Sequence, residues 1–127
     1  MTNGEATTIV AGMAVYISAA DTVKMGLASA MATSNIFGIV TAASIAASAI
    51  GNVQHVGVVS LATALWDAVT GQSGGLTAGS MYYLDPATAG HMTTTVPGSG
   101  NIVAVLGQAK STTDFKFQPR LPEGPLP

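Results

Sequence analysis

Turn-forming residues cut this chain into pieces too short for a helix-built core. Fifteen glycines and six prolines, helped by Asn and Asp, separate brief runs rich in β-branched and aromatic residues. The runs are Ala14–Ile17, Thr22–Met25, Ile36–Val40, Val53–Leu61, Ser80–Leu84, His91–Thr95, Ile102–Leu106 and Asp114–Gln118. Runs of this kind, bounded by turn residues, read as strands. Many short strands at regular spacing predict an all-β fold, a small β-barrel or β-sandwich. Two segments, Ala28–Asn35 and Leu61–Val69, hold good helix formers, but short isolated helices are marginal. Ala42–Ser48 reads as either a turn of helix or a loop.

The chain also resembles itself. Ile9-Val10-Ala11-Gly12 matches Leu76-Thr77-Ala78-Gly79 at an offset of 67 residues. Four residues beyond each glycine stands a tyrosine, Tyr16 or Tyr83, and thirteen beyond stands a methionine, Met25 or Met92. Phe37-Gly38 and Leu106-Gly107 each follow a hydrophobic run. Self-similarity at a fixed offset marks a repeated supersecondary unit. The chain therefore reads as one β domain over 1–118, with an internal pseudo-repeat covering about 9–42 and 76–111. Each copy is a strand, a polar turn, a strand, a looser connection and a third strand. The turns are placed at Ser18–Asp21 and Asp85–Gly90, the second begun by Asp85-Pro86, a pair suited to turn initiation. Tyr82 and Tyr83 must point to opposite faces of their strand, one to the core and one to the surface or an interface.

With 127 residues the chain is one modest domain, and its surface chemistry is unusual. Charged residues make up 8%, against roughly 25% in an ordinary soluble domain. Six acids and four bases leave a net charge of only -2. A free monomer holds its neighbours off with charge. So neutral a surface suits a protein covered by copies of itself or by a partner, the alternative being a surface solubilised by hydroxyls. The absence of cysteine excludes disulfides and thiolate chemistry. The first ten residues lack the basic and apolar regions of a signal peptide. No apolar run approaches the roughly 20 residues of a membrane helix, so no membrane partner is expected. Lys24, Lys110, Lys116 and Arg120 are too few and scattered for a nucleic-acid footprint.

The last ten residues differ from the rest. Gln118 to Pro127 contain four prolines, which excludes a helix or a central strand. Residues 119–127 are therefore expected to form an extended, polyproline-like arm. Such an arm becomes ordered by lying against something, either a neighbouring subunit, the favoured reading, or its own domain.

Residues for chemistry are sparse. His55 and His91 lie on separate predicted strands, and a zinc site would need both together with a carboxylate such as Asp85. Asp67 beside Trp66 is the nearest approach to a sugar platform, although a lone tryptophan is more often a core or interface anchor. No G-x-S-x-G elbow occurs, and Gly71–Gly75 lacks the lysine of a phosphate loop. The expectation is a non-enzyme without catalytic residues, metal or cofactor.

The segments AGMAVYI, VKM, IFGIVTA, GNVQHVGVVSL, WDAVTGQSGGLTAGSMYYLDPATAGHMTTTVP and VLGQAKSTTDF together resemble small virion proteins of tailed bacteriophages, above all the capsid decoration or cement proteins. A similar cassette around the paired tyrosines also occurs in phage tail-fibre and baseplate proteins. The resemblance implies a β-tulip-like barrel or sandwich with extended terminal arms. It further implies a trimer on the outer surface of the head, bridging capsomers of the major capsid protein. The alternative it leaves open is a tail-fibre or baseplate module that binds glycans. On this reading the functional residues are contact residues: Phe117, Pro119, Leu121, Pro122, Pro125 and Leu126 of the arm, then Thr7, Thr8 and Ile9. Trp66 and Tyr82 are candidate anchors between subunits.

Overall fold

The computed structural model describes residues 1–127. Twelve strands and one helix follow in the order β1 (Thr2–Asn3), β2 (Ile9–Val10), β3 (Ala14–Ala19), β4 (Thr22–Met25), β5 (Gly38–Val40), β6 (Ser44–Ile45), β7 (Val53–Gln54), β8 (Gly57–Ser60), α1 (Thr63–Thr70), β9 (Met81–Leu84), β10 (Met92–Thr93), β11 (Val105–Ala109) and β12 (Asp114–Phe117). Strands hold 34% of the residues and helix 9%, so the fold is all-β, its sheets curled into a half-barrel.

Two five-stranded sheets carry the architecture, in the orders β1-β4-β3-β5-β7 and β10-β9-β11-β12-β8. Each holds a hairpin, then a third strand beside the hairpin's first, then a fourth outside that. The registers agree where the hairpin's first strand meets the third strand, but not within the hairpins, where Met25 pairs with Val15 and Met92 with Leu84. Val15 pairs with Gly38 as Tyr82 pairs with Gly107, and Ala14 with Ile39 as Met81 with Gln108. The turns that lead in are bonded alike: Gly12 N–H donates to the Val40 carbonyl, and Gly79 N–H to that of Ala109, both at 2.8 Å. Val40 N–H returns to Met13 and Ala109 N–H to Ser80, both at 3.0 Å.

The main core lies between the two sheets. From the second sheet come Val59, Tyr82, Leu84, Leu106, Phe115 and Phe117; from the first, Ala14 and Ile39; and from α1, Trp66 and Val69. Because side chains alternate along a strand, Val15, Val23 and Val40 face the other way. There they are covered by Ile9 and Ile45 of the small β2–β6 ribbon, a second cluster. The first sheet is thus buried on both faces at its centre. The second is open on its outer face, where Met81, Gln108, Lys116 and Val58 stand in one cross-strand row.

Several local expectations shift. Val53–Leu61 is not one strand: at Gly57 the backbone turns to φ +97, and the run divides into β7 in one sheet and β8 in the other. The Gln54 side chain spans the division, its Nε2 donating to the carbonyls of Val56 (3.0 Å) and Val58 (2.9 Å). Ala42–Ser48 contains β6, because Ile45 is drawn into pairing with Ile9. Of Ala28–Asn35 only Met31–Thr33 is helical, as one 3₁₀ turn. Thr33 Oγ1 donates to the Leu27 carbonyl and Ser34 Oγ to that of Ala30, both at 2.6 Å. Hydroxyls bonded to nearby backbone in this way compete with helix propagation. Leu61–Val69 does form a helix, displaced by one or two residues as α1.

The C-terminal segment is extended and is bonded along its length to its own domain. The amides of Gln118, Arg120, Glu123 and Leu126 donate to the carbonyls of Leu106, Val105, Val103 and Asn101, at 2.9, 3.1, 2.9 and 2.9 Å. Val103 and Gly100 return bonds to Glu123 and Leu126. The arm prolongs β12 along the segment that leads into β11. From Arg120 onward every third residue donates inward, a polyproline-like period. Pro119, Pro122 and Pro125 occupy positions between the donors. Proline is tolerated at a sheet edge where the missing amide faces solvent.

Candidate interaction surface

The aromatic candidates are in the core. Trp66 has no exposed surface; its Nε1 donates to the Thr113 carbonyl at 2.7 Å, and its ring lies 5.8 Å from that of Phe115. Tyr82 is equally enclosed. Its hydroxyl accepts from Thr77 N–H at 2.9 Å and donates to Gln72 Oε1 at 2.5 Å, and Phe115 meets its ring edge-on. Phe117 and Ile9 are fully buried as well. None of these four can touch a partner in the folded chain, which corrects their assignment as contact residues. The physical reason is facing: Tyr82 and Phe117 point to the side of the sheet that the first sheet and α1 cover. Tyr83, on the opposite face, is the half-buried member of the tyrosine pair.

Tyr82→Phe is expected to lower stability by about 1 kcal/mol, since it removes both hydrogen bonds of a buried hydroxyl, one to half-buried Gln72 and one from exposed Thr77. Urea denaturation reads the change as a shifted midpoint with an unchanged slope.

The remaining candidates lie at the surface. Thr7 and Thr8 are exposed in the turn between β1 and β2. That turn is held by buried Asn3, whose Nδ2 donates to the carbonyls of Thr7 (2.9 Å) and Ile45 (2.8 Å), while its Oδ1 accepts from Glu5 N–H at 2.7 Å. In the arm, Pro125 is exposed, and Pro119, Pro122 and Leu126 are half-buried. Leu121 is 82% exposed, the most of any large apolar side chain.

Leu121 and Pro122 join a surface that sequence reasoning missed. With Met31, Ala32 and Asn35 they line an open depression of about 470 Å³. Ala32 and Asn35 are shared with a neighbouring hollow of about 280 Å³, lined further by Tyr16, Ile17, Ile36 and Phe37. Met31 and Ile17 are 43% and 44% exposed, so the patch presents large apolar groups to solvent. No charged residue lines either hollow. The signal was present in Met31-Ala32-Thr33-Ser34-Asn35, but it looked like helix. The 3₁₀ turn, fixed by the Thr33 and Ser34 hydroxyls, is what leaves Met31 facing out.

The groups considered for chemistry are engaged separately. The Asp85 carboxylate accepts from Ala87 N–H at 2.7 Å and closes its own turn. The His55 ring lies 5.9 Å from Phe37. The Asp67 carboxylate accepts from Gly74 and Gly75 N–H at 3.1 and 2.8 Å, tying the glycine-rich connector to α1. No three His, Asp or Glu side chains are grouped as a metal-ligand set. No helix is long and apolar enough to cross a membrane. A third, smaller hollow of about 160 Å³ lies on the outer face of the second sheet, where Lys116 and Arg120 stand with Met81, Val105, Gly107, Gln108 and Gln118. No family model, curated protein or solved structure matches the chain.

Proposed function

We propose that this chain is a structural virion protein, a decoration or cement protein on the outer surface of a tailed-phage head. In this role it assembles as a trimer and bridges capsomers of the major capsid protein. The observation that carries the reading is the uncharged apolar surface formed by Ile17, Met31, Ala32, Asn35, Phe37, Leu121 and Pro122 on a body with only ten charged residues. Contiguous exposed apolar surface of this kind marks a contact site.

A head under internal pressure fails at the joints between capsomers. Roughly 300 Å² of added apolar contact contributes about 7 kcal/mol before the costs of association. Repetition over many joints and linkage within an oligomer then make a modest contact effectively permanent. A small, doubly sheeted body with both ends bonded to itself is a stiff carrier for such a surface. The sugar-binding alternative loses its tryptophan platform, because Trp66 is enclosed.

The test is copy number in purified particles, measured by quantitative mass spectrometry against the major capsid protein. The decoration role requires hundreds of copies per head, in fixed ratio to capsomer joints. A count of a few tens, or location in the tail by electron cryomicroscopy, would show a tail module instead.

A further inference from the structure

We propose that the arm segment Arg120-Leu121-Pro122-Glu123 and the depression beside it form a two-fold contact between copies of this chain. The patch is complementary to itself. It carries a knob, Leu121, at 82% exposure, and next to that knob a depression lined by Met31, Ala32 and Asn35. A two-fold contact places each surface on its own twin, so a residue and its complement must lie on the same patch. Leu121 of each copy then fills the depression of the other.

The flanking charges fix the register. The inward amides of Arg120 and Glu123 are three residues apart, which places both exposed side chains on one flank of the arm. When two arms run antiparallel about an axis between Leu121 and Pro122, Arg120 of each copy meets Glu123 of the other. Arg120 shares its hollow with Lys116, and no carboxylate lines that hollow. The incoming Glu123 therefore meets two positive charges. Such exposed charge pairs select partner and register more than they add affinity. An acidic or basic foreign partner would satisfy only one of the two charges, whereas a second copy satisfies both.

This contact occupies the depression beside Leu121 and leaves the adjoining hollow of Tyr16, Ile17, Ile36 and Phe37 open to the shell; it is also separate from the three-fold contact of the proposed trimer. It predicts association of the isolated full-length chain with no shell present, so its failure leaves the copy-number test untouched. Sedimentation equilibrium of the wild-type chain is expected to show a reversible dimer, or pairing of larger units, that weakens as salt is raised. Leu121→Asp should weaken it about 30-fold or more, the effect of losing a central anchor. Because Leu121 is exposed, circular dichroism should be unchanged. Arg120→Glu and Glu123→Arg should each weaken association, and the double variant R120E/E123R should restore it to within about threefold of wild type. A wild-type chain that stays monomeric to millimolar concentration overturns the proposal. So does association that survives Leu121→Asp, or a double variant that does not recover.

Discussion

Gly107→Ala is expected to cost about 3 kcal/mol or more and to lower the melting temperature by roughly 10 °C. The residue sits in β11 with φ +153, directly against β12. A Cβ there would overlap the Lys116 carbonyl oxygen and press on the Phe115 ring. Backbone cannot step aside as a flexible side chain can, so β11 and β12 must separate or the bond ladder must shift. Phe115 is also the ring on which Trp66 and Tyr82 converge, and a shift there loosens the centre of the main core. The single tryptophan reports this directly through its fluorescence during thermal unfolding. Gly38, in the matching place of the first sheet, has the same difficulty: a Cβ would stand 2.7 Å from the Gln54 carbonyl oxygen and nearer still to Val53. A Gly107→Ala protein with wild-type melting would mean that the two strands are not held as closely as described.

The second large effect is at Trp66. Trp66→Ala should lower stability by about 4–5 kcal/mol, since it deletes the largest fully buried side chain and leaves a cavity between α1 and Phe115. Trp66→Phe should cost only about 1–2 kcal/mol. It retains most of the packing and loses the bond to Thr113, whose carbonyl keeps a second donor in Leu61 N–H at 3.1 Å. Guanidinium titrations of both variants, followed by circular dichroism, give the ratio. Equal losses would show that the hydrogen bond, not the volume, carries the contribution.

The hairpins β3–β4 and β9–β10 were readable because period-two alternation and turn residues are local signals. Asp85 closing its own turn is such a case. What could not be read were decisions made by the other sheet. Alternation separates Tyr82 from Tyr83 but does not say which face meets a second layer, so Tyr82, Trp66, Phe117 and Ile9 were placed at contacts when they belong inside. Ala42–Ser48 has no strand pattern of its own; β6 exists because Ile9 and Ile45 share a cover over Val15, Val23 and Val40. The break in Val53–Leu61 rests on one glycine whose φ no pattern reveals. For the contact surface, Leu121 and Pro122 were legible as exposed arm residues. Their neighbours Met31 and Asn35 were not, because eighty-odd intervening residues must fold before the depression exists.

The proline rhythm of the C-terminal segment has a consequence for behaviour in a crowd. A β-protein with few charges risks fibrous stacking wherever a bare strand offers a row of amides. Along Pro119–Pro127 that row is interrupted: four positions have no hydrogen to give, and the amides of Arg120, Glu123 and Leu126 are turned inward. Newly made chains can therefore accumulate densely without templating one another along this margin, and must meet through shaped side-chain surfaces instead.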